Sequence, residues 1–107
     1  MFAYGLSGRL RMHELSKSGE MKENQMLVDV REYQEYHLRH LPNAVSLPLA
    51  ELETRANDFL DQSKQVYVYG RSRSQALLAC VILQELGYRA SSIGTMSSWP
   101  YDTITRW

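Results

Sequence analysis

The chain has 107 residues, 44% hydrophobic and 22% charged, a globular composition whose size lets one core, not two, bury about two-thirds of the unfolded surface. Twelve Lys plus Arg balance twelve Asp plus Glu, and zero net charge lacks the basic excess with which a general nucleic-acid binder neutralises phosphates. One cysteine excludes an internal disulfide and the longest apolar run, residues 76–83, is too short for a bilayer, so the expected setting is a reducing cytoplasm, with no membrane partner and no secretory signal.

Residues 1–25 are polar and uneven, with a short helix expected around residues 10–17 and Ser18-Gly19 as its stop. Residues 26–30, Met-Leu-Val-Asp-Val, form a nearly continuous apolar run of the kind a strand covered on both faces carries. Tyr33, Tyr36, His37 and His40 suggest a short helix, and Pro42-Asn43 a turn into a second strand at residues 44–47. Leu49, Leu52, Ala56, Phe59 and Leu60 make one apolar helical stripe behind Pro48. Residues 66–69 repeat the strand pattern, with Tyr67 and Tyr69 on one face. Leu77, Leu78, Val81, Ile82 and Leu86 predict a second long helix, capped by Gly87, and residues 91–93 a last strand. Trp99, Tyr101 and Trp107 crowd the C-terminus, and Trp99 is expected to pack back on the sheet. Strand and helix alternate, which predicts an α/β fold with a mainly parallel sheet of four to five strands and helices on both faces.

In such sheets ligands sit beyond the carboxyl ends of the strands, which singles out Gly70, Arg71, Ser72, Arg73 and Ser74. Free amides at a helix N-terminus attract anions, and no acid occurs from Gln62 to Gln84 although Lys64, Arg71 and Arg73 do. Arginines beside the positive end of a helix dipole are unfavourable unless an anion offsets them, so this loop is a candidate anion site. The plainer alternative is that Ser72 or Ser74 caps the helix and both arginines point into water.

These blocks, taken together, resemble the rhodanese-like domains of sulfurtransferases. Leu27-Val28-Asp29-Val30-Arg31-Glu32 resembles the family's opening strand motif, and Glu35-Tyr36 followed by His40-Leu41-Pro42-Asn43-Ala44 its second. Leu47-Pro48 with Leu52 resembles the next helix entry, Val66-Tyr67-Val68-Tyr69 the strand before the active loop, and Leu83-Gln84-Glu85-Leu86-Gly87-Tyr88 the helix exit. Gly94 and Trp99 are similar to the closing Gly-Gly and Trp segment, with Thr95 in place of the second glycine. The resemblance implies a rhodanese-like domain over residues 26–107, with residues 1–25 as an N-terminal part of the same domain.

The family's reaction needs a cysteine directly after that strand, where a thiolate held by loop amides takes a sulfane sulfur and passes it on. Gly70 stands at that position, and the loop is about two residues shorter than the family's cradle. Cys80 lies about 9 Å down the following helix among Leu78, Ala79, Val81 and Ile82, as a small buried hydrophobe with a raised pKa would. Phosphatases with a Cys-x5-Arg loop match no better, because Gly70 and Ala76 occupy the two required positions. His37 and His40 have no neighbouring ligand to complete a metal site, and Ser72 or Ser74 has no nucleophile elbow. Asp29, Arg31 and His40 read as structural: a buried aspartate needs partners, and the resemblance places His40 at a helix-to-turn junction.

The resulting expectation is a rhodanese-like domain inactive in sulfurtransfer, a regulatory or protein-binding module for an unknown protein partner. It would need no cofactor and no metal, and would keep a small-anion site at Gly70 to Ser74. The alternative is an active sulfurtransferase or sulfur carrier that uses Cys80 or a partner's thiol.

Overall fold

In the computed structural model, which describes residues 22–98, the apolar run after Asn24 becomes strand β1, Gln25–Asp29. β1 pairs with β2, Ala44–Ser46, on one side and with β3, Gln65–Gly70, on the other. β4, Arg89–Thr95, joins β3, so the sheet is parallel throughout with the order β2-β1-β3-β4. Helix α1, Tyr33–Leu38, follows β1, and a 3-10 turn at Leu49–Glu51 leads into α2, Leu52–Phe59. Helix α3, Arg73–Glu85, links β3 to β4. The four expected strands are all present. The short helix expected at residues 10–17, most of the N-terminal segment 1–25, and Trp99, Tyr101 and Trp107 lie outside the described residues.

Side chains alternate across each strand, and the two sets face two apolar layers. On one face Val28, Val30, Val66, Val68 and Ala90 meet Leu52 and Ala56 of α2 and Ala76, Ala79, Cys80 and Leu83 of α3. On the other, Leu27, Tyr67, Tyr69 and Ile93 pack with Leu41 and Ala44, and Tyr36 of α1 lies against them. Tyr67 and Tyr69 therefore share a face and are fully buried, as alternation requires.

Helix α3 is rotated from its expected stripe, whereas α2 packs Leu49, Leu52, Ala56 and Leu60 of its stripe into the core as expected. In α3 the residues that meet the sheet are Ala76, Ala79, Cys80 and Leu83, while Leu77, Leu78 and Val81 face outward. Small side chains let a helix settle close on the strands, and the larger ones are left outside. In α2, Leu52 and Ala56 are buried but Phe59 is exposed, with the Arg55 guanidinium 4.8 Å above its ring. The α3 exit is as expected: Gly87 takes φ 99°, its N–H donates to the Gln84 carbonyl, and Tyr88 N–H donates to that of Leu83, both orphan carbonyls being met. Between β3 and β4 the pairing jumps from Val68–Ser92 to Tyr69–Gly94, which leaves Ile93 as the extra residue of a bulge. Gly94 turns there at φ 86°. Among the described residues no helix is long and apolar enough to cross a membrane.

Candidate functional site

The strand order places β1 and β3 side by side, and the chain leaves them for opposite parts of the sheet, to β2 and to β4. A crevice at the carboxyl ends of two such strands is where an open parallel sheet takes a ligand. Asp29 and Tyr69 are register partners there, and Val30 N–H donates to the Tyr69 carbonyl at 3.1 Å.

Asp29 is fully buried and organises the β1 end. Its Oδ1 accepts from the backbone N–H and Nε of Arg31 at 2.9 and 3.1 Å, and its Oδ2 from Arg31 Nη2 at 2.8 Å. Tyr69 donates its hydroxyl proton to Asp29 Oδ2 at 2.7 Å and accepts from Leu41 N–H at 3.0 Å. Arg31 Nη2 also donates to the backbone carbonyl of Arg39, which ties the segment after α1 to the sheet. A buried carboxylate and guanidinium are tolerable because both are hydrogen-bonded on several sides. Burial first, and the Asp29 charge second, push the Tyr69 phenol well above its ordinary pKa, so it stays a neutral donor. His40 is buried beside this network, stacked on Tyr36 with ring centroids 3.8 Å apart. Its Nδ1 lies 2.8 Å from the Tyr36 carbonyl oxygen, which can only accept, so Nδ1 carries the proton. Asp29, Arg31 and His40, singled out in the sequence, thus all lie in or beside this buried network.

The β3 end is built differently. β3 stops at Gly70, only Arg71 and Ser72 separate it from α3, and Ser72 is the N-cap, its Oγ accepting from Gln75 N–H at 3.1 Å. Gln75 Oε1 turns back to accept from Arg71 N–H at 2.7 Å, so one amide of the expected anion loop is filled from within the chain. The Arg71 guanidinium does not stand free in water: Nη2 and Nε donate to Glu35 Oε2 and Oε1 of α1 at 2.7 and 3.3 Å. That hydrogen bond is the main reason the Glu35 carboxyl is held below its usual pKa. Arg73 and Ser74 are exposed, with Ser74 Oγ 3.4 Å from Ser72 Oγ. A Cβ added at Gly70 would lie 2.7 Å from Gln75 Oε1 and 3.2 Å from Ala76 N, so the space beside Gly70 is taken by Gln75.

Cys80 is 5% exposed in the layer between α3 and the sheet, and burial pushes its thiol up to about 12. Among the described residues no three His, Cys, Asp or Glu side chains converge on a metal position, and His37 points away from the core. Sequence reasoning missed Gln75, Glu35 and the Tyr69 hydroxyl. Ser72-Arg73-Ser74-Gln75 carries the capping-box pattern that could have revealed Gln75. Glu35 and Arg71 are far apart in sequence and left no local sign.

The family model for the Rhodanese-like domain matches residues 12–99. YrkF of Bacillus subtilis (strain 168), named for a proposed role as a sulfur carrier, is 33% identical over 63% of this chain and 36% of its own length. MOCS3 of Arabidopsis thaliana, an adenylyltransferase and sulfurtransferase, is 28% identical over 85% of this chain and 23% of its own length. The chain thus spans little more than a third, or less, of these curated relatives. Among solved structures, the Alr3790 protein from Anabaena sp. superimposes with a TM-score of 0.74 at 27% identity, over 79% of this chain and 70% of that one. A rhodanese with anions from E. coli does so with a TM-score of 0.69 at 28% identity, over 76% of this chain and 98% of that one.

Proposed function

The chain belongs to the rhodanese-like domain family, and from that premise we propose that it performs no sulfur transfer with a thiol of its own and serves as a regulatory or protein-binding module. The observation that carries this reading is Gly70 at the strand end that faces the helix N-terminus, combined with burial of the chain's one cysteine in α3. In the family's chemistry a thiolate attacks the sulfane sulfur of a donor such as thiosulfate, releases sulfite and holds a persulfide, and an acceptor such as cyanide then removes the outer sulfur. Glycine has no atom that can attack or hold sulfur. Cys80, its thiol pushed up to about 12 by burial, is held in the thiol form at pH 7 and has almost no exposed surface for a donor to approach.

A small anion at Gly70 to Ser74 remains part of the proposal as a weak ligand. To bind, it would displace Gln75 Oε1 from Arg71 N–H and compete with Glu35 for the guanidinium. The E. coli relative solved with anions supports keeping this ligand class in view.

The rival is a sulfurtransferase or carrier working through Cys80 or a partner's thiol, and what favours it is that the relatives' names describe sulfur transfer. Thiocyanate production from thiosulfate and cyanide by the purified full chain separates the proposal from a rival that uses Cys80, the chain's one thiol. The expected result is turnover no greater than that of a heat-denatured control, and no one-sulfur mass adduct on Cys80. Turnover above the control, or that adduct, would overturn the proposal.

A further inference from the structure

Helix α3 is apolar on two sides. Ala76, Ala79, Cys80 and Leu83 are buried against the sheet, while Leu77, Leu78 and Val81 stand 58%, 50% and 49% exposed. A helix apolar all round normally lies inside a protein, and three large neighbours on one outer face form a patch rather than scattered residues. The helix ends add a second observation. Arg73 opens α3 and Glu85 closes it, with no acid in the first turn and no base in the last. This order opposes the helix dipole, which favours acids at the N-terminus and bases at the C-terminus. Among the described residues neither Arg73 nor Glu85 has an ion-pair partner.

We infer that this face of α3 pairs antiparallel with α3 of a second copy of the chain. Arg73, Leu77, Val81 and Glu85 are spaced four apart and form one ridge on the helix surface, symmetric about residue 79. Two such ridges lie alongside each other in the commonest helix-pair geometry, with axes about 50° apart and about 8–10 Å between them. A two-fold axis that meets the outer face midway between Leu77 and Val81 then sets Arg73 opposite the partner's Glu85 and Leu77 opposite the partner's Val81, while Leu78 fills the groove beside the ridge. Each charge also comes to the end of the partner helix that its sign suits. A parallel pairing would oppose like charges. A different protein would have to supply an acid, two apolar residues and a base in this order and spacing, and a second copy supplies all four. The inference uses neither Gly70 nor Cys80, so it stands or falls separately from the sulfur chemistry.

Sedimentation equilibrium of the full chain over a range of concentrations tests it. The expected mass approaches about 25 kDa, twice the 12.4 kDa of the chain. Leu77→Lys, at a position 58% exposed in the single chain, is expected to give a monomer whose far-ultraviolet circular dichroism spectrum matches that of the unsubstituted chain. Arg73→Glu and Glu85→Arg are each expected to raise the dissociation constant about tenfold or more, because each homodimer then opposes like charges. Equimolar mixing of those two variants is expected to restore the dimer, since opposite charges meet again at both ends. A monomer at every concentration, a dimer indifferent to Leu77→Lys, or no recovery on mixing would overturn the inference. So would a stripe found covered by another part of the chain.

Discussion

At the end of β1, Asp29 is fully buried and its two carboxylate oxygens serve Arg31 and Tyr69. One strand over, at the end of β3, Arg71 pairs with Glu35, and their side chains are 57% and 30% exposed. The two ends are register neighbours and share α1, since Arg31 reaches toward the Glu35 carbonyl while Arg71 takes the Glu35 carboxylate. The first end holds the loops in place through groups that have no water to fall back on. The second is a surface arrangement that solvent could replace at little cost. On the proposed reading, the scaffold is independent of the reacting position because the buried polar network sits on β1, not on the strand end that faces the helix N-terminus.

Removing Asp29 should show the contrast most strongly. Asp29→Asn leaves the Arg31 guanidinium 9% exposed without its counter-charge, and is expected to lower unfolding free energy in urea by about 3–5 kcal/mol. A loss below about 1 kcal/mol would mean that the network is not what holds the loops.

Gly70→Cys probes the other end. The new side chain must push aside Gln75 Oε1, the far end of a flexible side chain, and crowd Ala76 N, so a loss of about 1 kcal/mol is expected in the same urea experiment. The introduced thiol would sit against helix N-terminal amides and should alkylate with a midpoint below about 8.5, while Cys80 stays unmodified until the protein is denatured. Equal inertness of both thiols in iodoacetamide mapping would show that the junction offers no thiolate site.

The smallest effect belongs to Arg71. Its hydrogen bond lowers the Glu35 carboxyl pKa, so whatever the pair contributes is present above the ordinary value of 4.5 and fades as pH falls through the depressed folded value. Arg71→Ala should move the Glu35 carboxyl back upward in an NMR titration and leave the melting temperature at pH 7 within replicate scatter. A clear drop in melting temperature at neutral pH would place the junction on the same footing as the β1 network.

Much of the fold was legible beforehand because its signals are local. A β-branched run such as residues 26–30, the Pro42-Asn43 turn and the Gly87 exit each act over a few residues, and the structure keeps all three. The buried partner demanded by Asp29 was legible as a need, though not as the Tyr69 hydroxyl, which comes from a neighbouring strand forty residues on. The α3 face was misjudged because apolar periodicity fits two stripes on that helix, and the strands beneath chose the one with smaller side chains.

The alternation of strands and helices, the zero net charge, the glycine at position 70 and the family itself follow from the order of residues, since each depends on composition or on near neighbours. Other features needed the folded chain. Arg71 held by Glu35, Cys80 buried in the layer between α3 and the sheet, and the leucines of α3 left outside all depend on which distant groups the sheet brings within hydrogen-bond or contact distance. Contacts of a few ångströms between residues tens of positions apart leave no periodic trace along a chain, so only the folded chain brings them together.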